Sequence, residues 1–184
     1  GREIDDRVKW WGPDRHIVTY KIDPRRDELY FIASTPEPDF RVESWSAPGN
    51  VDEMIAAYSG FHPDAMIILE SAPEVRKWAL IEREPLTGWT AEQTILIGDA
   101  AHPMLPYMAQ GAGASMEDAV ILARCLNDVD EDGIDEAFNR CEKNRRKRTT
   151  EIQLGARKNT WMRTPATTNT DWVYEYDAWN VALT

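Results

Sequence analysis

The sequence predicts an α+β fold: an antiparallel sheet, then a strand–loop–helix segment, then a helical carboxyl-terminal region. Three observations carry this. The first third runs in strand-like segments whose connections are too short for crossover helices. A short β-branched run then enters a Gly/Ala-rich loop. Beyond that loop, apolar residues recur at helical spacing.

Taken in order, Arg7 to Trp11 and His16 to Ile22 read as strands around the turn Gly12-Pro13-Asp14. Leu29 to Ala33 follows the turn-forming Asp23-Pro24-Arg25-Arg26-Asp27. Phe40 to Ser46 alternates again, with Phe40, Val42 and Ser44 on one face. Asn50 has the chemistry of a helix cap, and Ile55, Tyr58 and Phe61 recur at helical spacing. Pro63 interrupts this pattern; Ala65 to Ser71 reads as a short helix and Lys77 to Arg83 as a strand. The character changes at Gly88. Thr94-Ile95-Leu96-Ile97 reads as a fully buried strand, ended by Gly98-Asp99-Ala100-Ala101-His102-Pro103. From Ala114 to Leu126, the spacing of Met116, Ala119, Val120, Ala123 and Leu126 is helical. An acidic linker, Asp128 to Asp132, precedes a long helix from Ile134 to about Met162. The closing Thr164 to Thr184, rich in Thr, Asn and aromatics, reads as an extended packed tail.

Composition bounds the function. Of 184 residues, 42% are hydrophobic and 29% charged, enough apolar material for a core and against wholesale disorder. Basic residues number 21 against 32 acidic, a formal charge of −11 that would repel a phosphate backbone, so nucleic acid is not expected as a partner. No apolar run approaches the ~20 residues that cross a bilayer, and no leader opens the chain, so no membrane partner is expected. Cys125 and Cys141 stand far apart, which fits a reducing cytoplasm better than a disulfide framework. His16, His62, His102 and the two cysteines show no metal-ligand spacing, so no metal site is expected. Arg140, Lys143, Arg145, Arg146, Lys147 and Arg148 form a basic cluster that reads as a solvated helix face, with a nicotinamide phosphate as the other reading. Trp10, Trp11, Trp45, Trp78 and Trp89 offer either core packing or a wall for a planar substrate.

The segment from Thr94 to Leu126 has the parts of a ligand site. Asp99, at the carboxyl end of a strand, can accept hydrogen bonds from sugar-like hydroxyls. Gly111 and Gly113 permit close approach to the backbone. The unpaired N–H groups at the start of the following helix favour electron-rich or anionic atoms. The competing reading is a buried corner whose aspartate merely caps a turn.

The run Gly98-Asp99-Ala100-Ala101-His102-Pro103-Met104-Leu105-Pro106-Tyr107-Met108-Ala109-Gln110-Gly111-Ala112-Gly113, with Glu117-Asp118-Ala119 after it, resembles the second flavin-binding motif of single-component FAD-dependent aromatic hydroxylases. Within that family the run is similar to that of the salicylate hydroxylase and 6-hydroxynicotinate 3-monooxygenase group. Trp11-Gly12-Pro13 leading to His16 and Tyr20 resembles the substrate-domain strand of that family, and Asp171-Trp172-Val173-Tyr174 with Tyr176-Asp177 resembles its carboxyl end. The G-x-G-x-x-G turn that grips FAD pyrophosphate in the family is missing; Gly111-Ala112-Gly113 is only a G-x-G, after the wrong elements. The resemblance therefore implies a carboxyl-terminal portion, inactive alone. Residues 1–87 would form the substrate-binding sheet region, 88–127 the FAD-contacting segment and 128–184 the terminal helix and tail.

The implied chemistry is reduction of FAD by NADH or NADPH, capture of O2 and hydroxylation of a hydroxylated aromatic acid. The resemblance puts Asp99 on the flavin ribityl hydroxyls, Pro106 along the ring, and the backbone of Gly111, Ala112 and Gly113 at its pyrimidine end. It puts His16 and Tyr20, four apart and thus on one strand face, against the aromatic acid. Tyr107 stands where the hydroxynicotinate enzymes carry a histidine, which leaves the substrate open. His102 is expected to be structural, with no acid partner visible in sequence. A homodimer through the sheet or the helices stays open. The alternative function is a non-catalytic flavin-fold remnant that binds a planar ligand or a partner subunit.

Overall fold

The computed structural model describes residues 5–23, 25, 28–40, 42, 44, 46–158 and 170–184. It mixes helix and sheet in two compact units, Gly1–Ala79 and Leu80–Thr184.

The first unit is built on an antiparallel meander, β1 (Arg7–Trp11), β2 (His16–Asp23) and β3 (Glu28–Ser34), in spatial order β1-β2-β3. Register sets Trp11 opposite His16 and Arg7 opposite Tyr20 across one ladder. Across the other it sets His16 opposite Ser34 and Tyr20 opposite Tyr30. Alternation sends Ile17 and Thr19, both fully buried, to the inner face. There Ile17, Tyr58, Ala65 and Leu69 form a core, flanked by Trp10, Phe31 and Ala33. Helix α1 (Val51–Ala57) starts where expected, because the Asn50 side chain accepts the Asp52 and Glu53 amides at 2.8 and 3.1 Å. Pro63 opens helix α2 (Pro63–Glu70) rather than only interrupting a pattern, since its missing N–H costs nothing at a first helical position.

Two expected strands are corrected. Phe40, Val42 and Ser44 lie in no strand; Pro36 and Pro38 remove backbone donors just before them, and the chain turns through a Phe40 N–H bond to the Glu37 carbonyl. Arg41, Glu43 and Trp45 lie outside the described residues. Lys77 to Arg83 contributes only its first residue to a strand: β4 (Ala47–Pro48) pairs with β5 (Arg76–Lys77), and Leu80 and Ile81 beyond it are exposed.

The second unit opens with a hairpin of β6 (Thr90–Ala91) and β7 (Thr94–Ile95). The Glu142 carboxylate holds it by accepting the Trp89 and Thr90 amides at 2.8 and 3.2 Å. The expectation of a fully buried strand through Ile97 is corrected: β7 stops at Ile95, and although the Leu96 amide still donates to the Trp89 carbonyl at 2.9 Å, Leu96 and Ile97 are 37% and 36% exposed. Short 3-10 turns at Gly98–Ala100 and Pro106–Met108 lead to helix α3 (Gly111–Leu126). A 3-10 turn at Glu131–Gly133 leads to helix α4, described from Ile134 to Lys158; the expected extension to Met162 lies outside the described residues. Ile121, Cys125, Ala137, Cys141 and Ala178 form the core between α3, α4 and the tail. The tail beyond a one-turn helix, Asp171–Tyr174, is tied down by Arg124, which donates to the Ala178 and Val181 carbonyls at 2.6 and 2.8 Å. Residues 164–169 of the expected tail lie outside the described ones.

Helix α3 ends where expected but begins three residues earlier, at Gly111, and its inner face is not the expected one. Ala114, Asp118, Ile121 and Cys125 are buried, whereas Met116, from the apolar stripe in the sequence, is 66% exposed. Packing against α4, not the apolar stripe, decides the inner side.

Candidate functional site

Gly98 makes the corner that carries Asp99. Its φ of +60° is the left-handed region that glycine alone enters freely, and an added Cβ would lie 2.9 Å from Ser115 Oγ. The corner then closes as a 3-10 turn, with the Ala101 and His102 amides both donating to the Gly98 carbonyl at 2.9 Å. Asp99 is exposed and makes no hydrogen bond or ion pair among the described residues. Its carboxylate therefore does not cap the turn, against the bland reading of this corner.

Across from it, α3 begins at Gly111 after Gln110, whose side chain makes no capping bond. The amides of Gly111, Ala112 and Gly113 precede the first intrahelical bond, Ala114 N–H to the Gln110 carbonyl at 2.8 Å, so they are the helix's open donors. A Cβ on Gly111 would sit 3.9 Å from both Asp99 Oδ1 and Met104 Cγ, filling the space beside the carboxylate. An acceptor carboxylate and a row of free N–H groups thus border one glycine-lined cradle. That donor and acceptor set fits a polyhydroxyl chain joined to an electron-rich ring, as in a flavin. Pro106 is exposed and Tyr107 part-buried in the neighbouring 3-10 turn.

Beneath the corner lies a charge network that sequence reasoning missed. Asp118 is fully buried and accepts three donors: the Gly98 amide at 2.9 Å, His102 Nε2 at 2.6 Å and Arg145 Nε at 2.7 Å. Burial alone would raise the Asp118 pKa; the bonds from His102, Gly98 and Arg145 overcome it and hold the carboxyl below its ordinary value. Two expectations change here. His102 does have an acid partner, sixteen residues on. Arg145 is not part of a solvated face: it is fully buried, paired with Asp118 and with Glu117 at 2.7 Å. Arg148 also turns to Glu117, by two bonds of 2.9 and 2.8 Å, and lies 4.0 Å from the Tyr176 ring centroid. Arg146, Lys143 and Lys147 do face outward and line a separate cleft of about 690 Å³, which contains none of the expected site residues. The one available signal was an acid seven residues into α3, on the helix side that an apolar count assigns to solvent.

In the first unit, His16 and Tyr20 share the outer sheet face, as their spacing requires. His16 Nδ1 is 2.6 Å from Ser34 Oγ, and its ring stacks on Trp11 with centroids 4.7 Å apart. Burial, with a smaller effect from Lys9, lowers the imidazole pKa. Tyr20 lies 5.2 Å from the Tyr30 ring, and burial raises its phenol pKa. From the core side, the Tyr58 hydroxyl donates to the Ser34 and His16 carbonyls at 2.5 and 3.3 Å, fixing the backbone that carries this face. Trp11 and Ser34 are the added residues here; strand register reveals them, spacing within one strand does not. Trp89, by contrast, is buried and serves packing.

The fold is a mixed helix-and-sheet portion of a protein, and its glycine-lined corner has the donor and acceptor chemistry that would suit a cofactor. The chain belongs to the family described as the FAD binding domain, whose model matches residues 10–154. It is 40% identical over 180 residues to the 6-hydroxynicotinate 3-monooxygenase of Pseudomonas fluorescens, covering 98% of this chain and 46% of that protein. It is 41% identical over 177 residues to the enzyme of the same name from Bordetella bronchiseptica, covering 96% and 45%. Among solved structures, a salicylate hydroxylase substrate complex superposes with a TM-score of 0.76 at 26% identity, over 94% of this chain and 47% of that one. The chain thus spans about half the length of the curated relatives it matches. Among the described residues, no group of three or more His, Cys, Asp or Glu side chains is placed to hold a metal ion, and no helix is long and apolar enough to cross a membrane.

Proposed function

We propose that this chain is part of a cytoplasmic FAD-dependent, NAD(P)H-using monooxygenase that hydroxylates a hydroxylated aromatic acid of the salicylate or 6-hydroxynicotinate kind. The observation that carries this reading is Asp99: an exposed carboxylate without a partner among the described residues, beside the open amides of α3 across a glycine-lined gap. The similarity to the two 6-hydroxynicotinate 3-monooxygenases supports the reaction class.

When bound, FAD supplies electron transfer from NAD(P)H to O2 and delivery of one oxygen atom to an electron-rich ring. Asp99 accepts hydrogen bonds from ribityl hydroxyls. Pro106 borders the ring, and the amides of Gly111, Ala112 and Gly113, at the positive end of α3, favour negative charge on its pyrimidine side. His16, held by Ser34 and Trp11, binds a ring hydroxyl or carboxylate, and Tyr20 orients the acid by its phenol. Tyr107 is a further hydrogen-bond donor for the substrate on this reading. On this reading residues 1–87 are the substrate-binding sheet region, 88–127 the FAD-contacting segment and 128–184 the carboxyl-terminal helix and tail.

The test is a visible spectrum and FAD titration of the purified natural protein, wild type beside Asp99→Ala. Saturable flavin binding that Asp99→Ala weakens sharply is expected. A wild-type protein that takes up no FAD overturns the proposal, and undiminished binding by the variant removes Asp99 from the site.

A further inference from the structure

Asp99 has nothing of its own to hold it in place. Its side chain makes no bond among the described residues, so the backbone on either side alone sets where the carboxylate stands. That backbone is tied to one atom. Asp118 Oδ2 accepts the Gly98 amide at 2.9 Å and His102 Nε2 at 2.6 Å, so both ends of the turn that contains Asp99 converge on it. Asp118 sits on α3, the helix whose first turn forms the other wall of the cradle. The same side chain therefore fixes the distance between the two walls.

Building on the flavin reading above, we propose that Asp118 is a positioning residue for Asp99, with Arg145 and His102 holding Asp118 in the orientation that the turn requires. Arg145 occupies the other oxygen, Oδ1, at 2.7 Å, and is itself held by the Ala114 carbonyl at 3.2 Å. Gln153 of α4 secures the far side of the loop by donating to the Pro103 carbonyl at 2.9 Å. Gly98 has no slack: Ser115 Oγ stands where a side chain would begin. A carboxylate is required at 118 because every partner donates. An asparagine oxygen can serve the turn or Arg145, and its NH2 then faces a donor on the other side.

A purely structural network would weaken the fold without regard to Asp99, and a double-mutant cycle separates the two roles. FAD dissociation constants are measured for the natural protein, Asp99→Ala, Asp118→Asn and the double variant, with amide hydrogen exchange of segment 97–103 in the flavin-free proteins. Asp118→Asn is expected to weaken FAD about tenfold, within the coupling range of contacting residues. It is expected to cost nothing more once Asp99 is alanine, and to lower protection of 97–103 while the amides of α4 stay protected. Where Asp118→Asn fails to fold, His102→Ala takes its place. It is expected to reproduce the loss, and His102→Gln, whose amide still donates to Asp118, to restore binding. Additive losses, unchanged affinity, unchanged protection or no rescue overturn the positioning role. Wild-type protein that binds no FAD overturns the proposed function and this role with it, whereas wild-type binding with an additive cycle overturns this role alone.

Discussion

His16 shows how one side chain is tuned by its neighbours. Burial against the sheet and the nearby Lys9 lower its pKa from the ordinary 6.5, so the folded protein binds its proton less readily than the unfolded chain does. The stability held in this ring is complete above about pH 6.5 and is lost as pH falls through that value towards the depressed folded one. A thermal midpoint that declines below pH 6.5, with a shallower decline in His16→Gln, is the expected result. An identical profile in the variant would show that the ring titrates as in solvent. Tyr58 is the second case, with one hydroxyl under two carbonyls of the site-bearing strands. Tyr58→Phe is expected to cost about 1–3 kcal/mol in denaturant unfolding, the range for leaving buried acceptors without a donor.

At the scale of elements, the loop and α3 decide whether a cradle exists. Gly98→Ala must place a Cβ against Ser115 and hold an L-residue at φ +60°. About 1–3 kcal/mol of destabilisation is expected from the strain alone, measured by urea unfolding. Ile121, at the centre of the α3–α4 core, is expected to cost about 2–5 kcal/mol when cut to alanine. The sequence made the α1 cap, the β1–β3 hairpins and the carboxyl end of α3 readable, because each depends on residues within one or two turns of each other. It did not make the inner face of α3 readable. Met116 and Ala119 look like core residues by spacing, yet the buried side carries Asp118, since Arg145 arrives from α4 to neutralise it. Nor did it show that Phe40, Val42 and Ser44 would lie in no strand; alternation was present, but a ladder needs a partner at the right register.

Over the whole molecule, two compact units carry different parts of the candidate chemistry: His16 and Tyr20 in the first, Asp99, Pro106, Tyr107 and the Gly111–Gly113 turn in the second. The second unit carries its own reporter of integrity. Cys125 and Cys141 are free and buried, and burial pushes both thiols up, Cys141 to about 12. Neither is expected to react with a thiol reagent at neutral pH in the folded protein, and both are expected to react in denaturant. Fast labelling without denaturant would show that the α3–α4 core opens readily.

The sequence by itself determined the class of element at most positions, the flavin-type motif from Gly98 to Gly113, and the shared face of His16 and Tyr20. These are local properties, fixed by the periods of helix and strand and by the chemistry of adjacent residues. Only the tertiary structure decided that His102, Asp118 and Arg145 meet beneath the Asp99 corner, and that Trp11 and Ser34 flank His16. These partners lie 16, 27, 5 and 18 residues apart. Their meeting follows from how helices pack and strands pair: a buried charge is stable only where the fold brings its counter-charge and donors to it.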